Sequence, residues 1–354
     1  MLFKFINPMK ITILTNRLLI SFGLIAILSS QLSAKLSNRK ETLEKVKLAM
    51  LCMQRGSWEQ GVALQALVEM GDTINLVNMA HEAVLRQKED GRFSLVASDY
   101  NIADPGSNSP GVLMAYKVTG DEKYKTAAQK QYEYYNNPKT RTSKGYILHN
   151  TKSIQVWSDN LFMVAPFLAM MGDYDDAIRQ IEGMRECLWD NNLKLVRHIW
   201  NDSLKIYEDS SYWGGGNGWC AASMTMVVNI LPKEREADRK KIIGYVKELI
   251  DGCLKYQLSN GLFYDKITEP NFEETNLGQM LAFSIYTGMA SGWLDNSYKK
   301  AADKMRSAAY TKIDKYGMIQ GASSSPRFDR PGTSTECQAF FLMMESAYQK
   351  LNNE

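Results

Sequence analysis

Residues 118–124 read Val-Thr-Gly-Asp-Glu-Lys-Tyr, and the Gly120-Asp121 pair at their centre decides the fold. Glycine readily adopts the left-handed conformation that ends a helix, and aspartate is a good cap for the helix that follows. The same pair occurs as Gly71-Asp72 and Gly172-Asp173, at spacings of 49 and 52 residues. Such a period predicts a repeated unit of two helices joined by a tight turn.

Helical periodicity extends outward from these turns over most of the chain, whereas continuous runs of β-branched residues are scarce. It predicts twelve helices, at 41–54, 58–71, 73–88, 108–118, 122–136, 159–171, 173–188, 217–230, 234–256, 273–289, 294–309 and 333–351. Short connections alternate with long ones from the second helix onward, so we predict an all-α (α/α)6 barrel whose even-numbered helices form the inner ring. An all-α solenoid is the alternative, but the repeats share no surface motif.

In such a barrel the long connections all lie at one end, which we call the mouth. They contain the densest runs of Gly, Trp, His and Asp, and they span residues 89–107, 137–158, 189–216, 257–272 and 310–332. Loops gathered at one end of a rigid scaffold commonly carry function. We therefore expect the functional site at the mouth.

Residues 1–34 have the pattern of an export signal. The basic start consists of Lys4, Lys10 and Arg17. An apolar run at 18–28 is too short to span a membrane comfortably, and small residues near Ala34 predict cleavage after it. A retained N-terminal anchor is the alternative. We predict a secreted or periplasmic protein whose residues 35–354 form one catalytic domain.

The net charge and the cysteines limit the classes of partner. Without residues 1–34 the formal net charge falls from +3 to 0, because that segment has three basic residues and no acidic one. A neutral balance argues against a nucleic-acid partner, and we expect no membrane contact once the signal is removed. The five cysteines are widely spaced and include no Cys-x-x-Cys pair, which predicts buried thiols rather than a zinc site or a disulfide framework.

Residues 213–219 read Trp-Gly-Gly-Gly-Asn-Gly-Trp and lead into the fourth inner helix. Four glycines leave the backbone nearly unconstrained, and each tryptophan offers a broad apolar face with one N–H donor. Flat rings and open backbone suit a sugar, whose C–H faces stack on indoles. This interpretation places Trp213, Gly215, Asn217 and Trp219 against a carbohydrate. A tight turn with two half-buried tryptophans is the alternative.

Two aspartates precede inner helices at the mouth. Asp159 lies between Trp157 and the pair Phe162 and Met163, an apolar setting that would raise its pKa and keep it partly protonated. Asp104 precedes another inner helix, and two carboxyls at one mouth suit acid/base work on a glycosidic substrate. A helix-capping role for Asp159 and a turn-forming role for Asp104 are the structural alternatives.

Other residues at this end could contact a substrate. His149 and His198 lie in two of the long connections, Trp58 opens the first inner helix, and Arg330 precedes the last one. A histidine can orient a substrate, a tryptophan can stack on it, and an arginine can pair with its carboxylate. A surface or packing role is the alternative for each. The spacing of the two histidines gives a metal site no support, and we predict no metal and no cofactor.

Taken in order, these motifs resemble those of the unsaturated glucuronyl and rhamnogalacturonyl hydrolases of glycoside hydrolase families 88 and 105. The resemblance covers nearly the whole chain after residue 34. Its specific parts are residues 157–163, Trp-Ser-Asp-Asn-Leu-Phe-Met, and the 213–219 heptapeptide. The supporting parts are His149 and residues 57–62, 104–108, 118–124, 198–200 and 272–275.

The resemblance implies an (α/α)6 barrel that acts on oligosaccharides ending in a C4=C5-unsaturated uronic acid. It implies that Asp159 protonates C4 with assistance from Asp104, that water adds at C5, and that the hemiketal opens and releases the neighbouring sugar. The residues that would bind this oligosaccharide partner are Trp58, His149, Trp157, His198, Trp213, Gly215, Asn217, Trp219 and Arg330.

One residue departs from the family pattern. The third position of the heptapeptide is usually an arginine that faces the substrate carboxylate, and here it is Gly215. A desolvated arginine–carboxylate pair contributes on the order of 2–5 kcal/mol. Another cation should therefore replace it, or the substrate should differ. Arg197, Arg327 and Arg330 are the candidate replacements.

We therefore predict a glycoside hydrolase that releases a terminal unsaturated uronic acid by acid/base-catalysed hydration. Two alternatives remain open. A glycosidase or lyase acting on an intact saturated sugar is compatible with Gly215. A non-catalytic sugar-binding relative would retain the tryptophans, but the presence of both aspartates and both histidines disfavours it.

Overall fold

The computed structural model describes residues 38–93 and 99–353. The chain divides into two units, Met1–Lys45 and Val46–Glu354. Of the first unit, helical residues 38–45 are described, and the predicted signal peptide at 1–34 lies outside the described residues. The second unit contains the candidate site.

Twelve helices make up most of the described chain. The first, α1, covers residues 38–53. The others are α2 (Ser57–Met70), α3 (Thr73–Leu85), α4 (Ser109–Thr119), α5 (Glu122–Tyr135), α6 (Asn160–Met170), α7 (Tyr174–Leu188), α8 (Gly214–Ile230), α9 (Glu236–Leu254), α10 (Asn276–Ala290), α11 (Lys299–Tyr310) and α12 (Thr335–Asn352).

The even-numbered helices form a closed inner ring. Each of them from α2 to α10 packs against the next even-numbered helix, and α12 packs back against α2. Each odd-numbered helix from α3 to α11 packs on the inner helix of its own hairpin. The prediction of an all-α (α/α)6 barrel is therefore confirmed.

The sequences of the helices explain which ring each one joins. In α6, every residue from Asn160 to Ala169 is buried, because this apolar helix is surrounded by neighbours. In α11, only Ala302, Met305, Ala308 and Ala309 are buried, and the other residues are largely charged or polar. A single apolar stripe of this kind is typical of a helix with one face toward solvent.

The Gly-Asp pairs form the turns that the sequence predicts. Gly71, Gly120 and Gly172 have φ values of 70°, 71° and 86°, in the left-handed region that favours glycine. Each following aspartate caps the next outer helix, as Asp173 does by accepting a hydrogen bond from Asp176 N. These short turns put the C-terminal ends of the inner helices at one end of the barrel and their N-terminal ends at the mouth.

The long connections at the mouth contain short antiparallel strands. The strands are β1 (Gln155–Trp157), β2 (Trp189–Asp190), β3 (Leu195–Val196), β4 (Ile199–Asn201), β5 (Ile206–Asp209), β6 (Phe263–Tyr264), β7 (Glu273–Glu274), β8 (Ala322–Ser324) and β9 (Arg327–Gly332). Strands β1, β4 and β5 form one sheet, and β2–β3, β6–β7 and β8–β9 form pairs. The β1–β4 pairing joins two connections that are distant in sequence.

Two inner helices begin elsewhere than predicted. Helix α8 begins at Gly214 rather than at residue 217, so the glycines belong to its first turns. Helix α10 begins at Asn276 rather than at residue 273, because Glu273 and Glu274 pair with β6. Glycine disfavours a helix on its own, so the prediction placed the start of α8 too late.

The cysteines are all free, and four of the five are buried; Cys52 is exposed. No helix within the described part of the chain is both long enough and apolar enough to cross a bilayer.

Candidate active site

Three predicted site residues from different segments meet at the mouth. One ring nitrogen of His149 and one carboxylate oxygen each from Asp104 and Asp159 lie within 4.8 Å of one another. Asp104 and Asp159 lie at the starts of neighbouring inner helices, whereas His149 comes from the connection before β1. The closed ring of inner helices brings them together.

Asp104 is buried in the short 3-10 turn Asp104–Asn108 that precedes α4. Its Oδ2 accepts a 2.6 Å hydrogen bond from Asn101 Nδ2. Burial raises the pKa of Asp104 to about 7; nearby His149 opposes this increase, whereas Asp159 and Glu336 add to it. Asp104 therefore retains its proton up to neutral pH.

Asp159 occupies the N-cap position of α6 without capping it. Its side chain makes no capping hydrogen bond to the helix, although an N-cap aspartate normally accepts one from the second or third amide. Its Oδ1 is buried and has no hydrogen-bond partner among the described residues. The capping alternative therefore fails to explain this carboxyl, which is left free for a ligand.

Four rings form a continuous wall beside the carboxyls. His149 and Trp157 are stacked with centroids 3.8 Å apart, and Trp157 meets His198 edge-on at 5.4 Å. His198 in turn contacts the ring of Trp213, at 4.7 Å. A bond from Ser158 N to the His198 carbonyl extends the β1–β4 pairing and holds the two connections together. The wall offers a sugar flat surfaces for stacking.

Hydrogen bonds orient both histidines. The Asn160 amide donates Nδ2–H to the Ile147 carbonyl, so its Oδ1 is the acceptor for His149 Nδ1 at 2.9 Å. His149 Nδ1 is therefore the donor in this bond. His198 Nδ1 bonds Asp209 Oδ2 at 3.0 Å, and this bond holds the pKa of Asp209 well below its usual range.

The first turn of α8 requires glycine because the Trp213 indole lies over it. A Cβ on Gly215 would lie 2.5 Å from Trp213 Cζ2, and a Cβ on Gly216 would overlap the Ser158 hydroxyl. The indole Nε1 donates to Asp265 Oδ1 at 3.2 Å. The space beside Gly215 is therefore filled by an aromatic ring rather than by a guanidinium.

Asn217 and Trp219 point into the protein rather than toward a substrate. Asn217 is fully buried, accepts from Val196 N at 2.8 Å and donates to the carbonyls of Val196 and Trp213. Trp219 is 3% exposed and packs against Phe162 and Phe340. This departs from the predicted stacking role of Trp219, because the helical register that begins at Gly214 turns its side chain toward the core. Asn217 ties β3 and Trp213 to the helix.

The three arginines considered as replacements have other partners. Arg197 pairs with Asp190 at 2.7 Å, and its guanidinium lies over two tyrosine rings. Arg327 and Arg330 are exposed on β9, and both pair with Asp329. The predicted contact of Arg330 with a substrate is therefore not preformed in this structure.

Glu336 is a site residue that the sequence analysis did not single out. It lies in the first turn of α12, is 6% exposed, and accepts a hydrogen bond from Trp58 Nε1 at the start of α2. Burial raises its pKa to about 7. The sequence could have indicated this residue by its position, because Glu336, like Trp58, lies in the first turn of an inner helix.

Two more buried carboxyls lie beyond Trp213. Burial raises the pKa of Asp265 to about 6, although its bonds with Ser323 and Trp213 oppose the change. Burial also raises the pKa of Glu274 to about 8, and its oxygens accept the first amides of α10. The sequence marks these residues only as a loop and a helix start.

This arrangement suits proton transfer. Two carboxyls this close resist joint ionisation, and one of them has a pKa near neutrality. Asp104 can therefore hold a proton near neutral pH, close to the unpartnered oxygen of Asp159. Two carboxyls and an imidazole at this spacing could also approach a cation.

Comparison with known proteins supports a carbohydrate-active enzyme. A family model described as Glycosyl Hydrolase Family 88 matches residues 32–346. The chain is 24% identical over 285 residues to the unsaturated rhamnogalacturonyl hydrolase YesR of Bacillus subtilis, covering 75% of this chain and 79% of that protein. It is also 24% identical over 193 residues to an unsaturated 3S-rhamnoglycuronyl hydrolase of an Alteromonas species, covering 48% of this chain and 45% of that protein.

Solved structures share the fold at lower identity. A possible member of glycoside hydrolase family 105 from Salmonella enterica is 18% identical with a TM-score of 0.78, over 89% of this chain and 93% of that one. A family 105 glycoside hydrolase from C. acetobutylicum is 19% identical with a TM-score of 0.73, over 87% and 98%. An unsaturated glucuronyl hydrolase specific for heparin is 13% identical with a TM-score of 0.69, over 89% and 96%.

Proposed function

The chain belongs to glycosyl hydrolase family 88 and is a glycoside hydrolase, and on this premise we propose that it releases a terminal C4=C5-unsaturated uronic acid from short oligosaccharides. One observation carries the proposal: the carboxyls of Asp104 and Asp159 lie together at the mouth, and one oxygen of Asp159 lacks a partner among the described residues. The names of both relatives above, which specify unsaturated substrates, support the substrate class.

In the proposed reaction Asp159 delivers the proton, with the Asp104 carboxyl within 4.8 Å of it. Asp159 gives this proton to C4 of the double bond, and positive charge develops at C5 beside the ring oxygen. A neighbouring carboxylate stabilises that charge electrostatically. Water then adds to C5 while Asp159 takes one of its protons, so the pair returns to its starting state.

Release of the neighbouring sugar follows from the hydrated intermediate. The C5 hemiketal opens, and the former ring oxygen stays on C1 as a hydroxyl. The bond from C1 to the neighbouring sugar then breaks, since C1 is now a hemiacetal. The four-ring wall of His149, Trp157, His198 and Trp213 holds the terminal sugar beside the carboxyls during these steps.

The test is incubation with oligosaccharides produced by different polysaccharide lyases, followed by the ultraviolet absorbance of the conjugated double bond. We expect the wild-type protein to remove this absorbance and Asp159→Asn to leave it unchanged. A wild-type protein that leaves every unsaturated oligosaccharide intact but cleaves saturated aryl glycosides would overturn the proposal.

The second candidate is a glycosidase or lyase acting on an intact saturated sugar. The observation that favours it is the Trp213 ring over Gly215, which leaves no room for a guanidinium at that position. This candidate predicts activity on untreated polysaccharide, in which no double bond is present.

We also propose that residues 1–34 direct export and that the enzyme works in the periplasm or outside the cell. The basic start, the apolar run and the small residues before Ala34 support this localisation. N-terminal sequencing of the exported protein should begin at residue 35. An exported protein that retains residues 1–34 would indicate an anchor instead.

A further inference from the structure

Glu336 lies where the last inner helix meets the first. Its Oε1 accepts the Trp58 indole N–H, so the side chain links the starts of α12 and α2. Its Oε2 is enclosed and makes no hydrogen bond of normal geometry to another described residue. Hydrogen bonds from Trp58 and Ser334 only partly offset the burial of this carboxyl, so a structural bridge alone is a poor explanation for it.

The groups that face Glu336 make it an electrostatic neighbour of the reaction pair. They are Trp58 and Glu59 from α2, Ser334 at the N-cap of α12, and Asp104, whose turn is joined to the start of α2 by a 2.9 Å hydrogen bond from Asn108 Nδ2 to the Ser57 carbonyl. Glu59 is itself held by the backbone N–H of Gly56. None of these four groups is a cation, so the charge of Glu336 adds to that of Asp159 in opposing ionisation of Asp104, against the opposite effect of His149.

We propose that Glu336 is a positioning residue of this enzyme: it fixes the Trp58 indole at the mouth, and its carboxylate opposes ionisation of the neighbouring Asp104 carboxyl. This inference rests on the proposed function only for its kinetic test. It assigns a role to a third carboxyl of the mouth, which acts through two other residues rather than by touching the substrate.

The sign of the electrostatic effect is fixed by the like charges. A negative Glu336 makes ionisation of Asp104 less favourable, and it therefore raises the pKa of Asp104 in addition to the larger effect of burial. The proposed reaction needs a proton at this site, so activity falls at high pH as Asp104 ionises. Removing the charge of Glu336 should move that fall to lower pH.

Two substitutions separate the two roles. Glu336→Gln keeps an oxygen for the Trp58 indole but removes the charge, and it should lower the high-pH midpoint of kcat/KM by roughly 0.5–1 pH unit. Trp58→Phe removes the indole donor but leaves a carboxyl at residue 336 that can still ionise. It should raise KM several-fold, and its high-pH midpoint should stay above that of Glu336→Gln. A purely structural Glu336 would change stability and leave the midpoint in place.

A second measurement, on the wild-type protein, needs no turnover. The indole N–H resonance of Trp58 can be followed by nitrogen-15 spectroscopy and assigned by its loss in Trp58→Phe. We expect it to shift with pH near neutrality, because its acceptor changes charge there. In Glu336→Gln the shift should disappear.

The results of these experiments distinguish a failure of the proposed role of Glu336 from a failure of the proposed reaction. An indole resonance that is constant from mildly acidic to mildly alkaline pH overturns the link between Trp58 and a titrating Glu336. An unchanged high-pH midpoint in folded Glu336→Gln overturns the electrostatic role, and an unchanged KM in Trp58→Phe overturns the positioning role. If no unsaturated substrate is cleaved but the indole shift occurs, the proposed function fails while the coupling stands.

Discussion

The two walls of the mouth differ in the residues that occupy the starts of their inner helices. On one wall, the starts of inner helices carry carboxyls, namely Asp104, Asp159 and Glu336. On the other wall, the start of α8 carries glycine, and the Trp213 ring lies over Gly215. The carboxyl wall is defined by charge and the aromatic wall by shape. A substitution that preserves shape should therefore damage only the first, and one that preserves charge should damage only the second.

The largest expected effect is on the carboxyl wall. Asp159→Asn preserves the shape of the side chain, but an amide can neither donate a proton to C4 nor accept one from water. We therefore expect kcat to fall by about 10²–10⁴-fold. Stability should change little, because the wild-type side chain makes no capping bond to α6. Kinetics on an unsaturated oligosaccharide and thermal unfolding measure the two quantities.

The matched control is the N-cap aspartate of an outer helix. Asp173 accepts a hydrogen bond from Asp176 N, and asparagine is as good a cap. Asp173→Asn should leave kcat near the wild-type value. A similar loss in both variants would mean that Asp159 acts through the fold rather than through a proton.

The second prediction alters the aromatic wall. Gly215→Ala places a methyl group 2.5 Å from the Trp213 ring and should displace the indole from the mouth. KM should rise about tenfold, which corresponds to about 1.4 kcal/mol of lost binding, while kcat changes less. Stability should not fall by much, because alanine is favoured over glycine in a helix by roughly 0.5–1 kcal/mol.

Gly244→Ala is the control for this change of residue type. A Cβ on Gly244, in the outer helix α9, would meet no atom within 4 Å. This variant should be slightly more stable than wild type, with unchanged KM. If Gly215→Ala binds substrate as well as Gly244→Ala does, the ring over Gly215 is not part of the binding surface.

The third prediction concerns stability and pH. Burial raises the pKa of Asp104 from 3.8 to about 7 and that of Glu336 from 4.5 to about 7. The folded protein thus binds more protons than the unfolded chain between these values. The contribution of these two groups to the free energy of unfolding is fully present below about pH 4 and is lost as the pH rises through about 7. The melting temperature should therefore be a few degrees higher near pH 5 than near pH 8.

The double variant Asp104→Asn, Glu336→Gln should flatten this dependence. Asp190 on β2 provides the contrast, because hydrogen bonds led by that from Tyr212 lower its pKa to about 2, outside this window. A dependence that persists in the double variant would assign it to other groups, such as Asp265 and Glu274, and not to the carboxyl wall.

The smallest expected effect is that of a chelator. Because the proposed chemistry moves protons between Asp159, C4 and water, dialysis against EDTA should leave kcat and KM unchanged. Loss of activity that is restored by one divalent cation would instead place an ion among Asp104, His149 and Asp159.

The sequence was sufficient to predict the barrel because its signals are local. The left-handed glycine and the capping aspartate at Gly120-Asp121 need no distant partner, and their period predicts the hairpins. The starts of inner helices then place Asp104 and Asp159 at one end. These inferences depend on backbone preferences and topology, which short segments specify.

The parts of the site that the sequence does not predict depend on contacts between residues that are distant along the chain. Glu336 and Trp58 are 278 residues apart and meet only because the ring closes between α12 and α2. Trp219 has the composition of a stacking residue, but the start of α8 at Gly214 turns it into the core. The sequence likewise does not predict that the Trp213 ring lies over Gly215, because a glycine and a tryptophan at these positions are compatible with other arrangements.

The Gly-Asp turns at the end opposite the mouth have a practical consequence for using this enzyme. A Cβ added at Gly71, Gly120 or Gly172 would meet no atom within 4 Å. These turns therefore face open space, on the far side of the barrel from the carboxyl and aromatic walls. A tether attached to the residues next to them, such as Asp121, would fix the enzyme to a solid support in one orientation. Each immobilised molecule would then present its mouth to the flowing oligosaccharide.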